Sequence, residues 1–200
     1  GEISREILNS PQLTPYHSLI FIIIIIAPVI VSNIGSTIIT REGKSFWQTK
    51  VLPISDKENI KARIQATVLL TFVGSALMGF FALYLLELSF KAILIGSVFG
   101  IAVILFFSVI DLIINIYRPF LNWNNPTAAV KNNLNVMIAL GLRAVTAGII
   151  YGIYKLAGDY MLNNINTVIL IATAVFFGGY LGARYFLYNK LVDRFRKIYV

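Results

Sequence analysis

Gly43-Lys44-Ser45 is the set of residues in this 200-residue chain best suited to chemistry, because it matches the last three letters of a phosphate-binding P-loop. In such a loop the lysine reaches the β- and γ-phosphates, the hydroxyl holds magnesium, and a glycine five residues earlier lets backbone N–H groups curl around the phosphates. Position 38 is Ile38, so that glycine is missing. The preceding segment, 18–39, is also a 22-residue, mostly apolar run, the length of a bilayer-crossing helix and not of a strand. Other chemistries fare no better. Ser75, in Gly74-Ser75-Ala76, needs a facing base to act as a nucleophile, and the single histidine, His17, lies at the outer edge of the first apolar run. Asp111 is isolated from the other carboxylates, which argues against a metal-dependent enzyme. The chain has no cysteine, so disulfides, thiolate chemistry and Cys-metal sites are excluded. These residues predict no enzyme, no resident metal and no cofactor bound by this chain.

The elements that position them are those of a membrane protein. Hydrophobic residues make up 58% of the chain and charged residues only 13%, a balance outside the soluble globular range. Five runs, 18–39, 66–86, 92–110, 136–156 and 167–187, are long enough to span a bilayer, and in hydrocarbon each must satisfy its backbone within itself as a helix. The expected fold is therefore an all-α, polytopic membrane bundle. An N-terminal segment 1–17 precedes the membrane domain 18–188, and a basic tail 189–200 follows it.

Charge sets the orientation. Thirteen lysines and arginines fall in the connections 40–65 and 111–135 and in the tail region, against three (Arg5, Lys91 and Lys155) on the other side. Positive charge stays cytoplasmic, so the N-terminus is expected outside and the C-terminus inside the cell membrane. The same rule explains the net charge of +8 without nucleic acid. The first residues carry no basic region before a short apolar core, so no signal peptide is read. An outside N-terminus without a signal suggests the later part of a longer polypeptide.

Both cytoplasmic connections hold interfacial residues. In REGKSFWQTKVLPISDKENIKAR, a short helix over 42–51 would carry Phe46, Trp47 and Val51 beside Lys44 and Lys50, suited to a membrane surface and its lipids. Pro53 stops it. Ser55 and Glu58 form a capping-box pattern that starts the next helix at Asp56. In the second connection, Asn125 is read as an N-cap with Pro126 at the first helical position, opening a helix that runs on into the fourth span.

The order of residues in these connections resembles that of bacterial type-2 ABC exporter permeases. The matching positions are Arg41, Glu42, Gly43, Lys44, Trp47, Lys50, Leu52, Pro53, Ser55 and Lys61 in the first, and Asp111, Pro119, Trp123, Asn125, Pro126, Ala129 and Lys131 in the second. The resemblance implies a permease component that docks onto a separate cytoplasmic ABC ATPase and works beside a second permease unit or half. ATP and magnesium would then sit on the partner. It further implies that Glu42 to Leu52 is a coupling helix, in which Glu42, Lys44 and Lys50 contact the ATPase and Phe46 and Trp47 anchor it, with Gly43 and Pro53 shaping its ends. Six spans are usual in that family and five are read here, so a preceding span is expected outside this sequence. A non-transporting membrane scaffold or immunity-type protein, binding another membrane subunit, uses the same spans and loops. Dependence on an ATPase separates the two.

Within the spans, Arg143 is a charge inside the fourth apolar run, facing a cavity or partner, snorkelling to the cytoplasmic surface, or pairing with Asp111. Pro28 is expected to bend the first span, and the glycines of the others to supply packing surfaces.

Overall fold

The computed structural model describes residues 7–10, 13, 16–131 and 133–198. Among these the chain is helical with no strand, and five of its helices are long and apolar enough to cross a membrane.

The first run folds as α1 (His17–Val31), a break, and a short α2 (Ile34–Thr37). Pro28 lies inside α1, yet the interruption comes later, at Ser32, whose backbone is extended at φ −68° and ψ 131°. Polar side chains take up the groups that the break exposes: Ser36 and Thr37 hydroxyls donate to the Asn33 carbonyl at 3.2 and 2.6 Å.

A 3₁₀ turn (Thr40–Ser45) then leads into α3 (Phe46–Val51). The sequence predicts helix from Glu42, but Gly43 adopts φ 53° and ψ −133°, a conformation no helix continues through. The helix therefore begins four residues later. Beyond Pro53, α4 (Asp56–Leu85) starts where the capping box predicts: the Glu58 N–H donates to Ser55 Oγ, and the Ser55 N–H donates to Glu58 Oε2. Thirty residues make α4 about 45 Å long, so it exceeds a hydrocarbon core of about 30 Å.

Helix α5 (Phe90–Tyr117) is the most enclosed of the five, with α1, α2, α4 and the last long helix packed around it. The second connection holds α6 (Pro126–Lys131), which starts at the predicted Pro126, and then a separate α7 (Leu134–Asn163). The expected continuous helix is interrupted because Asn133 is extended and turns its carboxamide back to accept the Asn135 N–H at 2.9 Å. Helix α8 (Ile165–Phe186) passes through a π-helical turn (Leu187–Leu191) into α9 (Val192–Arg196). The predicted basic tail is thus helical, and its apolar residues Leu191, Val192, Phe195 and Ile198 join the core beneath α3.

Candidate functional site

The first connection is held from within. On the inner face of α3, Phe46 is fully buried and meets Phe195 edge to face, ring centroids 5.9 Å apart. One turn on, the Lys50 ammonium donates to the Phe195 carbonyl at 2.8 Å, lies 4.2 Å from the Phe195 ring centroid and faces Asp56 at 3.8 Å. Asp56 also accepts from Arg196 at 2.9 Å. The tail beyond α8 therefore grips α3.

A second polar cluster anchors the start of the connection. Glu42 forms an ion pair with Arg63 of α4, and its other oxygen accepts from the Thr49 hydroxyl at 2.6 Å. Arg63 is itself buried and donates to Asn59 Oδ1 at 2.7 Å. Losing such a charge-assisted bond costs about 1.5–3 kcal/mol.

The two connections meet at Gly43. Its missing side chain makes room for Trp123, since a Cβ there would lie 2.5 Å from Trp123 Cζ2, and its positive φ excludes other residues on separate grounds. Trp123 Nε1 donates to the Thr40 carbonyl at 2.7 Å. The fully buried Thr40 hydroxyl oxygen accepts from Asn115 Nδ2 at 3.0 Å and Asn133 Nδ2 at 3.3 Å, while Asn115 Oδ1 accepts the Ile39 N–H at 2.7 Å. This network ties α5 and α7 to the first connection.

What remains outside is one continuous stretch. Trp47 is 56% exposed, Val51 69%, Leu52 52% and Ile54 47%, with Lys44, Lys57 and Lys61 also exposed beside them. A helix pinned by one face with an aromatic and aliphatic patch on the other is built to receive a partner or a membrane surface.

The residues singled out in the sequence thus fall into three groups. Lys44, Trp47, Leu52 and Pro53 face outward. Phe46, Lys50, Glu42 and Gly43 hold the chain's own structure, so Trp47 is the aromatic left to anchor anything else. Of the second connection, Trp123 joins the site through Gly43 and Lys131 stands exposed at the end of α6, whereas Asp111 lies elsewhere.

Asp111 pairs with Arg143. The guanidinium NH2 lies 2.7 Å from Asp111 Oδ2, and Nε donates at 3.0 Å to the carbonyl of Val29. A helix would offer that carbonyl to the N–H of Asn33, which sits in the break after α1. Arg143 is 7% exposed and does not snorkel. Gly35 permits the approach, as a Cβ there would stand 2.7 Å from Asp111 Cβ.

Sequence reasoning missed Phe195, Thr40, Asn115 and Asn133. Phe195 left a signal, since Leu191, Val192, Phe195 and Ile198 share one helical face. Thr40 and Asn115 left none beyond being polar near the ends of apolar runs.

Comparisons with family models, curated proteins and solved structures found no match to this chain.

Proposed function

We propose that this chain is the transmembrane permease component of an ATP-driven exporter of the type-2 ABC class, inserted in the cell membrane with its N-terminus outside and its C-terminus inside. Helix α3 is the seat of a cytoplasmic ATPase, and ATP with magnesium is bound there and not on this chain. The observation that carries the reading is the division of α3 into two faces. Phe46 and Lys50 fasten it to the tail and Glu42 fastens its approach to α4, while Trp47, Val51 and Leu52 stay exposed on the connection whose residue order resembles that family's. Such an element passes a push on its outer face directly to the bundle, which is what coupling two sites requires. A second permease unit completes the arrangement.

Co-purification tests it. The chain should bring down a cytoplasmic ATPase, and Trp47→Ala with Leu52→Ala should weaken the association by at least tenfold, since interface anchors cost about 2 kcal/mol or more on truncation. If no ATPase accompanies the chain, or the double variant retains it fully, the exporter reading fails and a scaffold that binds another membrane subunit takes its place.

A further inference from the structure

A cavity of about 470 Å³ opens beside the second connection, between the end of α5 and the start of α7, lined by Arg118, Pro119, Phe120, Asn133, Leu134 and Asn135. Its walls are fixed. Asn135 Nδ2 donates to the Arg118 carbonyl at 2.8 Å, joining the two helices, and Asn133 is committed to Thr40 and to the Asn135 N–H. Those bonds use the amide groups of the lining. The Arg118 side chain is different: it is exposed, among the described residues its guanidinium has no hydrogen-bond or ion-pair partner, and no carboxylate lines the cavity. An unpaired guanidinium at the edge of a recess without an acid suits a phosphate.

The rim fits the same chemistry. Phe120 and Leu134, both lining residues, are 44% and 51% exposed, so apolar surface borders the recess. Lys131 stands exposed nearby in sequence, at the end of α6. Basic recesses between the ends of membrane-spanning helices receive anionic headgroups, whose chains lie along apolar surface.

We propose that this cavity binds a phosphate-type anion, with Arg118 as the residue that holds it. The inference does not depend on an ATPase or on transport. Its role follows from where it sits. Helix α7 buries little of its apolar length, and an anion in the recess would add a bridge between its first turn and α5.

The test uses the purified full chain in nanodiscs of phosphatidylcholine alone or mixed with phosphatidylglycerol, and in phosphatidylcholine with added inorganic phosphate. Phenylglyoxal modification of the Arg118 peptide, followed by mass spectrometry, reads occupancy on the wild type. Slowing by phosphatidylglycerol identifies a lipid headgroup, and slowing by phosphate alone a soluble anion. Either supports the site, and no slowing by either overturns it. Arg118→Gln should weaken retention of phosphatidylglycerol about fivefold, the worth of one basic charge at an anionic surface, and Arg118→Lys, which keeps the charge but not the fork, should weaken it less. Lys91→Gln, an exposed charge at the opposite end of α5, should leave retention unchanged. If R118Q still binds the anion that slows modification of the wild type, or K91Q loses as much, Arg118 holds no anion and the proposal falls.

Discussion

Arg143 and Asp111 show how a single charge in an apolar run is accommodated. Each is buried, the pair is 2.7 Å apart, and the second bond of the arginine goes to a carbonyl that the break after α1 leaves open. Removing either partner strands the other, so Arg143→Ala or Asp111→Ala alone should destabilise the chain by about 3–5 kcal/mol, and the double variant by clearly less than the sum of the two. Unfolding in detergent micelles, followed by circular dichroism, measures this. Additive losses would mean that the pair contributes nothing as a pair. The partner was legible in the sequence as one of several choices, because Asp111 stands at the end of the third run. The Val29 carbonyl was not. A free carbonyl follows from a backbone break, and Ser32 and Asn33 read equally well as small polar residues at a helix contact.

At the level of elements, the link between α3 and the tail is where most of the unforeseen structure lies. The starts of α4 and α6 follow directly from Ser55-Glu58 and Asn125-Pro126, because caps depend on neighbours in sequence. The Lys50–Phe195 contact depends on where the last helix is aimed, and no local pattern encodes that. A double-mutant cycle with Lys50→Met and Phe195→Leu should give a coupling energy of about 1–2 kcal/mol, the sum expected of a cation over an aromatic ring in a partly dry site. In parallel, Phe195→Ala should speed hydrogen exchange across 46–51 while leaving the middle of α5 unchanged. Equal protection in the variant would show that α3 is held without the Phe195 ring.

For the whole molecule, the five long apolar helices were readable from length and composition, since a span is a property of a run and not of its neighbours. Their arrangement around α5 was not, because the apolar faces carry little polarity contrast to say which side turns inward. The orientation proposed from the distribution of lysine and arginine can be measured directly. The chain has no cysteine, so a cysteine placed at Lys61 or at Lys91 is the only thiol. A membrane-impermeant maleimide applied to whole cells should label the Lys91 variant and spare the Lys61 variant. The reverse pattern would invert the topology and move the α3 patch away from any cytoplasmic partner.

The π-helical turn at Leu187–Leu191 gives this design an indexing mechanism. A π turn holds about one residue more than an α turn, and each residue rotates the chain by about 100°, so the extra residue acts as a phase shifter between the last span and the tail. With it, Phe195 points at Phe46. Deleting one residue from the turn and letting the helix run regularly would keep every downstream side chain but rotate Phe195 by about a quarter turn, away from Lys50. Composition and hydropathy would hardly change, yet the tail would lose its hold on α3. The hold of the tail on α3 thus depends on the number of residues between Phe186 and Phe195 as well as on the buried Leu187, Leu191 and Val192 among them.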